Sequence, residues 1–430
     1  MKNKKKNIAI IGMGNIGSYL YKYLNKNQNI LSKKNNCLPF VKFVSAKNIK
    51  KRRGFSIPKH KWLNNYLEAT VNKNVDIIVE LIGGSEGPAK KLVFNALKNK
   101  KNVVTANKAL IAKYGDELAS IAEKNKVNLE FEAAVCGGVP IIRTLKEGLI
   151  ANKISKIYGI LNGTSNYILS SMDKESKSFD EVLLNAKKLG YAETNPTSDL
   201  NGDDVSSKLK ILSSLCFNSF LNNNIYVEGV NEVDKIDIDN ANQLGYKIKL
   251  LGFAELIDNK IYQRVHPTLI KKESYVASID GVLNAIIING MPVGQITIQG
   301  EGAGPSATTS ALISDISSIL RGNIKFPFSL SKKERKKLKF DNIDNRYFSA
   351  YLRFDVLDKP GVLSNITSIF SKHKVSIKRL VQNPNKNKKT SSIIIITHNS
   401  KNNSLKRILK EITKKKFIKI KPKLIRINDN

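Results

Sequence analysis

Short apolar runs alternate with stretches of helical spacing through the first third of the chain. Asn7-Ile-Ala-Ile-Ile11 predicts a buried strand, followed by a glycine-rich turn and then apolar positions at helical spacing through Leu24. Phe40–Ser45 predicts a second strand, and Val75–Leu81 a third that stops at Gly83-Gly84. Val103–Thr105 and Val127–Phe131 predict two more, with helical patterns over 88–99 and 115–124. This alternation implies a parallel sheet with crossover helices, an α/β domain of Rossmann type.

From about 139 to 300 the pattern is mixed α+β, with strands expected near 154–161, 261–266 and 293–299. Gly300–Ser306 breaks the chain before a helix at about 307–320. Residues 331–346 are polar and lysine-rich without an apolar period, and resemble a linker. The remainder predicts strand (348–356), helix (361–372), strand (375–382), strand (391–398), helix (403–414) and strand (418–427), a small βαββαβ unit. The expected domains are 1–138 with a return segment at 301–325 for nucleotide binding, and 139–300 for substrate binding and dimerisation. A linker at 326–346 and a regulatory unit at 347–430 complete the chain.

Charge then enters. The 430 residues hold 72 basic and 36 acidic side chains, a formal net charge of +36. Such an excess invites a polyanion partner. The lysines are spread over nearly every element, however, and the chain is also rich in Asn and Ile, the residues an A+T-rich coding sequence favours. No zinc-ligand spacing, aromatic RNA motif or heptad zipper accompanies them, so no nucleic-acid partner is expected. No run approaches the ~20 apolar residues of a membrane span. The basic start lacks a small-residue cleavage site. Three scattered cysteines, Cys37, Cys136 and Cys216, fit free thiols. A cytoplasmic location is the expectation.

Gly12-x-Gly14-x-x-Gly17 lies between a predicted strand and a predicted helix, the context in which this spacing cradles a dinucleotide pyrophosphate. No acid precedes Glu68 to take a ribose 2′-hydroxyl. The second strand ends instead in Ser45-Ala-Lys47 and runs on to Arg52-Arg53, cations suited to a 2′-phosphate. NADP(H) is therefore expected to be preferred; some sites lacking the acid accept both cofactors, which leaves NAD(H) open.

Two stretches interrupt apolar elements with chemistry. In Val103-Val-Thr-Ala-Asn-Lys108 a lysine follows a strand on the cofactor side. In 189–208, Glu193, Asp199, Asp203, Asp204 and Lys208 gather in a chain otherwise short of acids. Asp204 and Lys208 share a helix face at i, i+4, and Asn201 or Asp203 is a candidate cap. These groups suit a zwitterionic substrate and a proton-moving lysine. Burial and Lys108 would lower the pKa of Lys208, whereas Asp204 would raise it; the sequence leaves the winner open.

These stretches resemble the homoserine dehydrogenases. The resemblance rests on Val79–Gly84, Val103–Ile111, Phe131–Pro140, Gly159–Asn166 and Gly190–Lys208, and covers about 7–325. The end of the chain, with Val356-Leu-Asp-Lys-Pro-Gly361, resembles an ACT domain. The resemblance implies dinucleotide contacts from Gly12, Met13, Gly14, Asn15, Ile16, Gly17, Lys47, Arg52, Thr105, Lys108 and Gly302. It implies substrate contacts from Glu193, Asp199, Tyr191 and Thr164, with Lys208, Lys108 and Asp204 catalytic. Glu132, Val135, Gly137 and Val139, largely through carbonyls, would hold Na+. Gly361 and Asn365 would meet an amino-acid effector such as L-threonine. Conversion between L-aspartate 4-semialdehyde and L-homoserine, in threonine, methionine and isoleucine biosynthesis, and a homodimer or tetramer are implied with them. Asn195 stands where the family often has an acid, and Cys136 where it usually has a small non-thiol residue. One rival is an aspartate-semialdehyde dehydrogenase-like oxidoreductase, which needs a cysteine nucleophile and a histidine base. The other is a non-enzymatic regulator that binds a dinucleotide and senses amino acids.

Overall fold

The computed structural model describes residues 4–221, 224–323, 325–384 and 389–428. Residues 1–3 of the basic start, residue 324 of the expected return segment and 429–430 at the end of the regulatory unit lie outside them. Strands β1 (Lys4–Ile11), β2 (Cys37–Ser45), β3 (Ile77–Glu80), β4 (Asn102–Thr105) and β5 (Leu129–Glu130) form a parallel sheet in the order β2-β1-β3-β4-β5. The order reverses between β1 and β3, and such a switch point opens a ligand crevice at the strands' carboxyl ends. The helices Asn15–Lys26 and Pro305–Leu320 pack on one face through the cluster around Ile10, Leu20, Val79 and Leu312. The expected return to the first domain is therefore this last helix.

The second sheet joins two expected domains. Its strands are β6 (Lys153–Ile160), β7 (Tyr226–Val227), β8 (Tyr246–Ile257), β9 (Lys260–Lys271), β10 (Leu283–Met291) and β11 (Gly294–Glu301), then β12 (Lys339–Phe340), β13 (Tyr347–Leu357), β14 (Ile377–Pro384), β15 (Thr390–Thr397), β16 (Ser400–Lys401) and β17 (Lys423–Asn428). The main path is β11-β10-β6-β8-β9-β17-β13-β15-β14, with β12 and β7 on β9 and β16 on β13. The C-terminal βαββαβ unit is present, with the helices Val362–Lys372 and Asn402–Thr413. Its last strand runs parallel to β9 through Arg426–Thr268, Ile427–Leu269 and Asn428–Ile270. That strand begins at Lys423, later than expected, because Lys421 and Pro422 precede the ladder.

The expected linker is a correction. Phe328 is fully buried against Phe131, with ring centroids 5.3 Å apart. Arg335 is buried and ion-paired to Asp116 at 2.6 Å, and the 336 backbone bonds to Asn218 and Phe220. The segment clamps the domains together, and its polarity misled because its few large side chains do the packing.

Candidate active site

At the switch point the three glycines have different physical duties. Gly12 has φ +112°, and a Cβ there would sit 2.3 Å from Leu81 O. A Cβ on Gly17 would lie 2.0 Å from Gly12 O, so helix and turn meet backbone to backbone. A Cβ on Gly14 would meet nothing within 4 Å, leaving a bare approach for a ligand. The first-turn amides of the Asn15–Lys26 helix face that space without intrahelical acceptors. Met13 lines the cleft but is itself buried, and Ile16 packs into the apolar cluster beneath. Contacts from Ile16 to a ligand would run through its main chain.

Two openings flank this turn. One, of about 740 Å³, is walled by Gly12–Gly14, Ser45–Asn48, Lys51, Tyr66 and Leu81–Ile82. The other, of about 330 Å³, brings Lys51 and Arg52 beside Asn15, Ser18, Lys22 and Pro305. Lys22, Lys47, Lys51 and Arg52 are thus cations presented to the cleft. Arg53 differs: its guanidinium donates to Met13 O at 3.1 Å and to the carbonyls of Asn48, Ile49 and Lys51, and it stacks over Trp62. It holds the loop and has little capacity left for a phosphate.

Thr105 requires a correction. It is fully buried, and its hydroxyl donates to Glu80 at 2.5 Å while accepting from the Asn107 amide. Glu80 in turn accepts the amides of Ile82 and Gly83. Thr105 therefore braces the loop after β3 rather than offering a hydroxyl to the cofactor. Asn107 caps the Lys108–Asn125 helix by accepting from the Leu110 amide and donates to Gly84 O at 2.7 Å. Lys108 is the helix's first residue, so the expected helix starts seven residues early.

Lys108 reaches across the domain boundary. Its Nζ lies 2.6 Å from Asp204 Oδ1, and Lys208 Nζ lies 2.8 Å from Oδ2 of the same carboxylate. Asp204 and Lys208 are buried, one turn apart on the Asp203–Cys216 helix, whereas Lys108 remains 42 % exposed. Gly202, left-handed at φ +87°, precedes that helix; neither Asn201 nor Asp203 caps it with a side chain. Lys208 also donates to Leu161 O at 2.6 Å. Asn162 donates to Asp204 Oδ2 and Asp199 Oδ1, both at 2.8 Å, and its own oxygen caps the Gly163–Glu175 helix at the Ser165 amide. Asn284 donates to Leu161 O at 3.1 Å.

Burial works against charge on both Asp204 and Lys208. The two lysines nevertheless hold Asp204 well below the usual carboxylate range. Asp204 overcomes the burial of Lys208 and raises its pKa, so Lys208 is an ammonium at neutral pH. The carboxylate wins the contest that the sequence left open.

Thr164 donates its hydroxyl to Tyr191 O at 2.7 Å, and Tyr191 packs on Tyr167. This fastens the bend that carries Glu193, which is exposed, next to the half-buried Asp199. Gly302 abuts Gly137, and a Cβ on it would strike Asn284 2.2 Å away. It is thereby packed against the Leu161–Lys208 centre through Asn284.

Glu132, Val135, Gly137 and Val139 follow β5 in a loop that also buries Ala133, Ala134 and Cys136 but exposes Gly138, with Cys136 left-handed at φ +53°. Both Glu132 carboxylate oxygens accept amides, from Ile142 and Arg143, yet burial pushes its pKa up to about 7. Among the described residues no backbone N–H donates to the carbonyls of Val135 or Gly137. Those two oxygens suit a hard cation, whereas the Glu132 carboxylate is already engaged. Among the described residues no cluster of three His, Cys, Asp or Glu could hold a metal.

Cys136 is buried, burial pushes its thiol up, and the charges acting on it are Lys208, Asp204 and Lys108, with no histidine. His266, on β9, stacks on Phe253 of the neighbouring β8. The cysteine–histidine pair that the rival oxidoreductase needs is absent among the described residues. Sequence reasoning missed Asn162, Asn284 and the Leu161 carbonyl. The run Asn162-Gly-Thr-Ser after a strand carried a capping signal that could have found the first.

Comparison with known proteins gives the family. Residues 140–317 match the family model described as homoserine dehydrogenase, and 12–132 match the homoserine dehydrogenase NAD binding domain. Residues 350–417 match the ACT domain. Homoserine dehydrogenase of Helicobacter pylori is 38 % identical over 99 % of this chain and 100 % of its own. That of Neisseria gonorrhoeae is 38 % identical over 92 % of each. The crystal structure of a homoserine dehydrogenase from Thiobacillus denitrificans superposes with a TM-score of 0.92 at 36 % identity, covering 99 % of both chains. A hyperthermophilic archaeal homoserine dehydrogenase solved in complex with NADPH gives 0.63 at 26 % identity, over 73 % of this chain and 97 % of its own.

Proposed function

The chain belongs to the homoserine dehydrogenase family, and from that premise we propose how its residues carry the reaction. The enzyme interconverts L-aspartate 4-semialdehyde and L-homoserine with a nicotinamide dinucleotide. When bound, the dinucleotide supplies or accepts the hydride. In the reductive direction Lys208, charged and buried, gives its proton to the oxygen that gains negative charge. Lys108 stabilises the same oxygen from the other domain. General acid help of this kind is worth about 10²–10⁴-fold. Asp204 sets the distance and charge of both lysines. Glu193 takes the substrate ammonium with Asp199, on the bend held by Thr164 and Tyr191. The observation that carries this reading is the Lys108–Asp204–Lys208 bridge, a single buried carboxylate holding two lysines.

We further propose NADP(H) over NAD(H), because Lys47 and Arg52 stand at the cleft and no acid ends β2. The archaeal relative solved with NADPH is in keeping with this choice. The Val135 and Gly137 carbonyls, with those of Glu132 and Val139, would hold Na+ and so stiffen the loop against Gly302. The ACT unit would bind an amino acid such as L-threonine near Gly361, whose carbonyl accepts from Asn365 at 2.8 Å. Assembly as a homodimer is proposed to cover the open sheet edge at β11, with ACT pairing raising it to a tetramer.

The test is NADPH oxidation with aspartate semialdehyde, repeated with NADH and with Lys208→Ala. The wild type should turn over faster with NADPH, and the variant should lose about 10²-fold or more in kcat with NADPH affinity near normal. Absence of oxidation with either cofactor would sink the catalytic assignment, and a Lys208→Ala enzyme at full rate would sink the lysine's role.

A further inference from the structure

Strands β6 and β10 run antiparallel, and their last pair at the active-site end is Ile160–Ala285. One step further the register sets Asn284 opposite Leu161. There the backbones part, because Leu161 leads into the Gly163–Glu175 helix. The Asn284 side chain takes over the lost ladder bond, its Nδ2 donating to Leu161 O at 3.1 Å. The strand end that carries it is itself held. Asn166, on the same helix, donates to Gly281 O at 3.0 Å and to Leu283 O at 3.3 Å.

Asn284 is fully buried, and its amide rests directly on Gly302. The Cys136 thiol lies against the same amide, and it reaches Leu161 O only at 4.0 Å, as a weak donor. Asn284 Oδ1 is buried with no donor among the described residues. An unsatisfied amide oxygen costs stability, so a position serving the core alone favours an apolar side chain. What the residue contributes in return is the bond from its nitrogen to Leu161 O.

That carbonyl has two lone pairs. One takes Asn284, and the other takes Lys208 Nζ at 2.6 Å. An ammonium carries three protons. Lys208 spends a second on Asp204 Oδ2 at 2.8 Å, and among the described residues nothing accepts the third. Nζ is tetrahedral, so two fixed hydrogen bonds and the bond to Cε set the direction of the last N–H. Lys108 differs. Among the described residues Asp204 is the one anchor of its Nζ, which leaves its other protons unaimed.

We propose that Asn284 is a positioning residue for the proton transfer: it holds the Leu161 carbonyl so that Lys208 has one transferable proton, aimed at the reacting oxygen. The inference rests on the reading of Lys208 as the proton donor. In the reductive direction the aldehyde carbon gains a hydride from the dinucleotide, and the carbonyl π pair moves to oxygen. That oxygen bonds the third Lys208 proton, while the N–H electron pair stays on Nζ. The amine keeps its other two protons on Asp204 and Leu161 O, and its lone pair points where the proton left. The same two bonds therefore aim the reverse step, removal of the proton from the alcohol.

The experiment follows NADPH oxidation by the full-length enzyme with aspartate semialdehyde, in H2O and in D2O. Asn284→Leu keeps the volume and removes the donor; Asn284→Ser is smaller and falls short of Leu161 O. Each folded variant should lose about 10–10²-fold in kcat, the scale of a displaced catalytic group. NADPH affinity and the KM for the aldehyde should stay within about threefold, since ground-state binding is untouched. The solvent isotope effect on kcat should rise, because a misdirected proton transfer becomes the slow step. In the Lys208→Ala background, Asn284→Leu should lower kcat by less than about twofold, because the residue acts through that lysine. A merely structural role would raise KM, leave the isotope effect unchanged and depress both backgrounds alike. That pattern, or a folded variant with wild-type kcat, overturns the inference while a slow Lys208→Ala enzyme leaves the lysine's role standing. Lys208→Ala at full rate removes that role and this inference with it.

Discussion

Asp204 determines when Lys208 can work. Homoserine oxidation needs a neutral amine to accept a proton, and aldehyde reduction needs the ammonium. Asp204 raises the Lys208 pKa against the lowering effect of burial. Oxidation should therefore gain rate as pH rises, with a high midpoint. Asp204→Asn removes the raising charge and leaves the burial, so that midpoint should move to lower pH, and the alkaline decline of reduction should move with it. The kcat–pH profiles in both directions check this, and a limb that stays in place would remove Asp204 as the controlling charge. The glycines offer a second residue-level test. Gly17→Ala forces a Cβ onto Gly12 O and should cost about 1–3 kcal/mol in urea unfolding as well as cofactor affinity. Gly14→Ala, with open space around it, should unfold like the wild type and lose only affinity for NADPH. At this scale the Lys108–Asp204–Lys208 bridge was legible, because charged residues stand out where they interrupt apolar elements. Asn162 and the Leu161 carbonyl were not, since a backbone oxygen has no sequence signature. Thr105 and Arg53 looked available and are spent on Glu80 and on carbonyls.

Elements were legible where one face decides the pattern. The Rossmann strands and both ACT helices fall close to their expected bounds, for their apolar positions repeat cleanly. Strand β8 escaped because Lys247 and Lys249 break its apolar run. Lys249 is buried, bonded to Asp280, Asn166 and Ile279 O. The Gln28–Asn35 helix escaped because its sequence is almost wholly polar. The ACT strand β13 carries the element-scale prediction. Arg353 lies buried on it, donating to Asp237 at 2.6 Å and to Asp234 at 2.7 Å, both at the start of the Lys235–Gln243 helix. Tyr351 on the same strand also donates to Asp237. Arg353→Ala leaves the fully buried Asp237 without its cation, a loss of about 3–5 kcal/mol for such a pair. Urea unfolding should shift accordingly, and a variant as stable as the wild type would show that Tyr351 alone satisfies that carboxylate.

Over the whole molecule, the ACT unit is built into the enzyme. A removable sensor joined by a linker was the expectation, but β17 extends the catalytic sheet and Arg426 sits buried against Glu228 and Tyr226. Sequence patterns could place each strand without showing that two domains share one sheet, since pairing between distant strands leaves no local periodicity. The net charge of +36 changes meaning at this scale as well. Several of its cations are committed to Asp237, Asp116, Glu228 and Asp204, and Lys47, Lys51 and Arg52 face the cofactor cleft. NADPH affinity should therefore fall several-fold between low and high salt, as screening shortens to a Debye length of about 3 Å at 1 M. Deletion of 347–430 then tests more than regulation. It strips Thr268–Ile270 of their strand partners, exposes an apolar edge next to Leu269, and leaves Glu228 and Asp237 without their arginines. An unpaired apolar edge invites association with other chains. The truncated enzyme should unfold earlier on heating and sediment as aggregates, with activity lost in proportion. A truncated chain that stays soluble and fully active would show that the shared sheet contributes little to the catalytic fold.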